Sequence, residues 1–107
     1  MRILIINPNT TASMTATIAD SANRVAGHHT EIVAVTSSMG PVSIEGYYDE
    51  VFAVPGLLKE IAAGEKQGID AVVIACFDDT GLDAARALAN VPVIGICEAA
   101  VSATAFI

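Results

Sequence analysis

Five consecutive apolar residues, Ala71 to Ala75, surround a β-branched centre of Val72, Val73 and Ile74. Such a run is too short for a buried helix and fits a strand covered on both faces, as in the interior of a parallel sheet. Thr80 then precedes Leu82, Ala85, Leu88 and Ala89, an apolar set at helical spacing, with Asp79 or Thr80 able to cap the helix. Cys76 therefore falls at the carboxyl end of an inner strand. Ligands of open α/β sheets bind along that edge, and backbone N–H groups at a strand-to-helix passage favour a thiolate.

The rest of the chain repeats the alternation. Ile3 to Ile6 form a first strand, ended by Asn7-Pro8-Asn9. Thr10 or Thr11 caps a helix reaching about Ala26, with Met14, Ile18 and Val25 inward and Gly27 as its stop. A second strand over Glu31 to Thr36 leads into a long loop, Ser37 to Ser43. From Gly46 to Lys66 the pattern is helical, with Leu57, Leu58 and Ile61 inward, but Pro55 is expected to kink or divide it. After the Cys76 strand and its helix, Val93 to Ile96 form a fourth strand, and Glu98 to Phe106 begin a helix without a stop signal. This order predicts one α/β domain over residues 1–107, a flavodoxin-like three-layer fold whose four parallel strands run 2-1-3-4. Three loops, 7–11, 37–43 and 76–80, then meet at one edge, joined by Glu98.

Composition narrows the partners. The net charge is −7 with only five Lys and Arg, and no basic cluster or aromatic stripe is present. Nucleic acid and anionic membranes are therefore excluded as partners, and no apolar run approaches the roughly 18 residues of a membrane helix. Two cysteines make no disulfide framework, and the apolar start is broken too soon by Asn7-Pro8 for a signal peptide, so a reducing cytoplasm is expected. Hydrophobic residues are 53% of the chain and the mean hydropathy is +0.59. For a small domain this is high, so part of the apolar surface is expected to be covered by another chain or segment.

Competing chemistries lack their residues. There is no Gly-x-Gly-x-x-Gly and no P-loop. The hydroxyl-rich segment 9–13 lacks the glycine that lets a phosphate approach backbone closely. Asp78-Asp79 resembles half of a Mg²⁺ site, yet the first strand ends in Asn-Pro-Asn and no cluster has metal-ligand spacing. His28-His29 follow Gly27 at the far end of the first helix and read as a solvated turn.

Three stretches together carry a family resemblance. Residues 1–10 read Met-Arg-Ile-Leu-Ile-Ile-Asn-Pro-Asn-Thr, residues 46–50 Gly-Tyr-Tyr-Asp-Glu, and residues 75–83 Ala-Cys-Phe-Asp-Asp-Thr-Gly-Leu-Asp, followed by Val-Pro-Val-Ile-Gly-Ile-Cys-Glu-Ala-Ala over 91–100. The combination resembles the hydantoin and allantoin racemase branch of the aspartate/glutamate racemase superfamily, along the whole chain but over its first lobe only. The resemblance implies a racemase of 5-substituted hydantoins or allantoin that uses no cofactor and no metal. Two cysteines on opposite faces of the substrate would move the proton, the first of them Cys76. Cys97 does not match the second. The resemblance thus implies one lobe of a longer enzyme whose second lobe is absent, or a homo-oligomer in which two copies meet.

Within that reading the other candidate substrate-binding residues are Asn7, Ser38, Pro41, Ser43, Ile44, Phe77, Asp78, Thr80 and Glu98. Asn7 and Asn9 fit turn roles equally well, and Asn7 could also bond the amide groups of a hydantoin ring. Thr80 could cap its helix and present a hydroxyl to substrate, while Glu98 could bond a pocket backbone group or serve as a first-turn helix carboxylate. Asp78 and Asp79 oppose a thiolate if their charges face the sulfur, and are expected to turn towards the helix N-terminus. A non-catalytic small-molecule binding or interaction domain, or an inactive fragment, with only one catalytic thiol is the competing class.

Overall fold

The computed structural model describes all 107 residues. Strands β1 (Arg2–Asn7), β2 (Glu31–Thr36), β3 (Ala71–Ile74) and β4 (Val93–Gly95) alternate with helices α1 (Ala12–Val25), α2 (Tyr47–Lys66), α3 (Leu82–Leu88) and α4 (Ile96–Ala103). A 3-10 turn over Thr104–Phe106 follows. All strand pairs are parallel and the order is β2-β1-β3-β4, the flavodoxin-like order expected from the sequence.

Register decides which side chains form the core. Leu4 stands opposite Val33 and Val72, Ile6 opposite Val35 and Ile74, and Val72 opposite Val93. Residues in register share a face of the pleat. That face closes against Leu57 and Ile61 of α2 and Ala85 of α3, all fully buried. Each large side chain placed there contributes about 1.5–3 kcal/mol relative to exposure. At Gly64 the helix lies so near β1 that a Cβ would stand 2.5 Å from Leu4 Cδ2.

The opposite face is covered unevenly. α1 lies over β1 and β2. Beyond it, Ile5, Val73 and Ile96 line an open groove of about 370 Å³ with Ile18 and Ala22 of α1. Ile94 of β4 is 42% exposed. No helix is long and apolar enough to cross a membrane.

Three local expectations are corrected. α2 runs unbroken through Pro55, because Pro55 is on the exposed side of the helix. The bond its missing N–H would have made falls to the carbonyl of Val51, an exposed residue that water can reach. Met14 and Val25 are not inward: they are 49% and 85% exposed, and the one buried α1 residue is Thr15. Neither Asp79 nor Thr80 caps α3; Gly81, in the left-handed region at φ 71°, occupies the cap position without a side-chain bond. There the chain must reverse between strand and helix, which glycine does without strain.

Candidate active site

Three segments converge at the carboxyl edge of the sheet. The end of β1 supplies Asn7, Pro8 and Asn9, the loop after β2 supplies Ser43 and Ile44, and the end of β3 supplies Ala75, Cys76 and Phe77. With Met14 of α1 they line a hollow of about 180 Å³. Short side chains with turn propensity dominate the first two segments, and their hydrogen bonds explain the convergence.

Asn7 is 1% exposed and holds the first turn together. Its Nδ2 donates towards Asn9 Oδ1 at 2.8 Å and towards the Thr11 carbonyl and Thr15 Oγ1 at 3.1 Å, while its Oδ1 accepts from Asn9 N at 3.2 Å. The Asn7 carboxamide is thus engaged inside the turn while one side of the residue faces the hollow. Thr15 Oγ1 continues the network to Thr36 Oγ1 at 2.7 Å, tying α1 to the end of β2.

The two threonines expected as helix caps clamp a loop instead. Thr10 N donates to Pro41 O at 3.0 Å, and Thr11 Oγ1 donates to Val42 O at 2.8 Å. Thr11 stands at the cap position of α1 without a side-chain cap bond, because its hydroxyl is directed across to the loop. The clamp brings Ser43 and Ile44 over Cys76.

Cys76 is half-buried, and both cysteines are free thiols. The hydrogen-bond partner of its sulfur is the Thr80 hydroxyl, at 3.4 Å. Backbone N–H groups of a helix were expected there; α3 begins only at Leu82, so the intervening turn surrounds the sulfur. That turn is pinned from two sides. Asp79 N donates to Cys76 O at 2.9 Å, and the Asp79 carboxylate accepts from Cys97 N and Glu98 N, each at 2.9 Å. Asp79 therefore caps a helix, as expected of it, but the helix is α4. Its charge is met by the N-terminal N–H groups of α4.

Asp78 behaves differently. It is exposed and borders a separate hollow with Ile44, Glu45, Gly46 and Tyr47. The hydrogen bond Glu50 shares with Asp78, then burial, then the charge of Asp78 raise the Glu50 carboxyl above its ordinary range. Glu50 therefore keeps its proton to higher pH than an isolated carboxyl does.

The remaining candidates do not line this hollow. Pro41 lines a larger hollow of about 450 Å³ with Met39, Tyr48 and Phe52. Ser38 is exposed and accepts from Lys59 Nζ at 3.4 Å. Glu98 opens α4 and pairs with Arg86, whose Nε also donates to Val93 O at 3.1 Å. Thr80 is fully buried behind Cys76. Among the sequence candidates, Asn7, Ser43, Ile44, Phe77 and Cys76 share one hollow. Pro8, Asn9, Met14 and Ala75 join them, none of which was a candidate for substrate binding. For Met14 the signal was its place one turn past Asn-Pro-Asn on the helix that begins there. No group of three or more His, Cys, Asp or Glu is arranged to hold a metal ion.

Residues 3–106 match the family described as Asp/Glu/Hydantoin racemase. The chain is 58% identical over 101 residues to a hydantoin racemase of Rhizobium meliloti, covering 94% of this chain and 42% of that protein. To a hydantoin racemase of a Pseudomonas sp. it is 52% identical over 101 residues, covering 94% and 41%. The solved allantoin racemase from Klebsiella pneumoniae superposes with a TM-score of 0.97 at 51% identity, covering all of this chain and 44% of that one. The chain thus spans less than half the length of the relatives it matches.

Proposed function

This chain belongs to the Asp/Glu/Hydantoin racemase family, and from that premise we propose that it forms one lobe of a cofactor-independent racemase of 5-substituted hydantoins or allantoin. Cys76 is one of its two acid/base thiols. The single observation that carries the proposal is Cys76 at the carboxyl end of β3, facing a hollow shared with the ends of β1 and the loop after β2.

The chemistry follows from the substrate. The ring carbon bearing the side chain is acidified by the adjacent carbonyl. A thiolate takes its proton, and the electron pair moves into the carbonyl as an enolate. The carbon is then planar and accepts a proton on either face. Return from the same thiol restores the original enantiomer, while delivery from a thiol on the far side inverts it.

One lobe supplies one face. A hollow of about 180 Å³ is smaller than the roughly 300 Å³ at which ligand pockets begin, which fits a half-site awaiting a second wall. Cys97 does not line that hollow, which supports a second thiol other than Cys97. That thiol comes from residues beyond this lobe or from a second copy of it. The open apolar groove over Ile5, Val73 and Ile96 supports further chain packing on this lobe.

The presence of one thiol in the hollow also favours a second reading, a small-molecule binding lobe that exchanges a proton on one face without inversion. Native mass and optical rotation of L-5-benzylhydantoin and allantoin, recorded on one sample, separate the two. Loss of rotation that requires Cys76 in a dimer supports two half-sites meeting. Retained rotation with deuterium uptake at the ring carbon supports the single-faced lobe, and loss of rotation equal in Cys76→Ser overturns the role of Cys76.

A further inference from the structure

The Thr80 side chain is 1% exposed, and the partner of its hydroxyl is the sulfur of Cys76 at 3.4 Å. A buried hydroxyl is held wherever its hydrogen bond is satisfied, and this is the one bond that the Thr80 hydroxyl makes. The carbonyl four residues back, a common acceptor for threonine, belongs to Cys76 and is bonded by Asp79 N at 2.9 Å rather than by the Thr80 hydroxyl. Asp79 at φ 49° and Gly81 at φ 71°, both left-handed, turn the chain on either side of Thr80 and aim its side chain back at the thiol. In the thiol state either atom can donate. Once the sulfur has given up its proton, only the hydroxyl can.

We propose that Thr80 is a positioning residue for Cys76, its hydroxyl donating to the thiolate and holding it towards the hollow. The consequence for proton transfer rests on the racemase reading; the hydrogen bond itself does not. In the reaction step the substrate proton passes to the Cys76 sulfur, Thr80 keeps its own proton, and the hydroxyl is then free to accept from the new S–H.

The charged neighbours leave this bond as the local influence on the sulfur. β1, α1 and the loop after β2 contribute Asn7, Asn9, Met14, Ser43 and Ile44 to the hollow, none of them titratable at neutral pH. On the Cys76 turn itself, the Asp79 carboxylate is bound to the α4 backbone and Asp78 interacts with Glu50 of α2. From α4, Glu98 is paired with Arg86 of α3, and Cys97 stands outside the hollow.

Alkylation of Cys76 by iodoacetamide as a function of pH tests the proposal, in a Cys97→Ala background so that one thiol reports. Hydrogen bonds to charged groups are worth enough to shift a titration by about one unit. Thr80→Val and Thr80→Ala are expected to slow alkylation by about threefold to tenfold at neutral pH without lowering the limiting rate at high pH, and Thr80→Ser is expected to restore the parent profile. Far-UV circular dichroism establishes folding of each variant. A Thr80→Ser profile that matches Thr80→Ala, or a Thr80→Val profile that matches the parent, overturns the proposal. Because no substrate is involved, its failure is distinct from failure of the racemase reading, which is read separately from proton exchange at the substrate carbon.

Discussion

The carboxylate of Asp79 rests so closely on the backbone of Gly95 that a methyl group at position 95 would overlap it. Gly95 has φ −93°, a conformation open to any residue, so the requirement is for space. Gly95→Ala is therefore expected to displace the carboxylate from α4 and to cost about 1–3 kcal/mol, the usual range for overpacking a filled site. Urea denaturation measures it, and a variant as stable as the parent would mean that the carboxylate has room to move.

Asp79 itself joins the Cys76 turn to α4 through two 2.9 Å bonds. Its removal in Asp79→Ala combines loss of a cap, about 0.5–2 kcal/mol, with a left-handed backbone that alanine tolerates poorly, about 1–2 kcal/mol. Asp79→Asn keeps one acceptor and tolerates that backbone, so it is expected to lose less. Amide hydrogen exchange at Cys97 and Glu98 should accelerate in both variants, most in Asp79→Ala. Equal protection in all three proteins would show that these N–H groups are held by something else.

The acid pair at the start of α2 makes stability depend on pH. Glu50 has a folded-state carboxyl raised above 4.5 by its hydrogen bond with Asp78, by burial and by the charge of Asp78. The folded state thus holds its proton longer than the unfolded state does. The resulting stability is fully present below pH 4.5 and is lost as pH rises through the raised folded value. Glu50→Gln keeps a donor to Asp78 and cannot ionise. Its stability relative to the parent is expected to increase across that window and then level off towards neutral pH. Parallel melting curves for the two proteins at every pH would count against a raised Glu50 carboxyl.

The layer order, the four strands and the placement of Cys76 were legible because they follow from hydrophobic period and strand-end position, both local properties. Pro55 was misread because an interior proline is better tolerated where the carbonyl it frees reaches water, as that of Val51 does, and the expectation did not combine Pro55 with the inward face of Leu57, Leu58 and Ile61. Thr10, Thr11 and Asp79 have the chemistry of helix caps in any sequence. Whether they cap the helix that follows, clamp a loop 31 residues on or cap α4 depends on tertiary approach. Asn9 and Met14 joined the hollow for the same reason, since the turn that aims them is stabilised by Asn7, whose partners lie up to eight residues away.

Proton exchange at the ring carbon of each enantiomer of 5-benzylhydantoin in deuterium oxide, followed by proton NMR with the parent and Cys76→Ser, tests most directly whether Cys76 is an acid/base group. The expected result is exchange above the buffer rate with the parent, faster for one enantiomer, and its loss in Cys76→Ser with stability nearly unchanged. Exchange that persists in Cys76→Ser, or a parent no faster than buffer, would contradict the assignment.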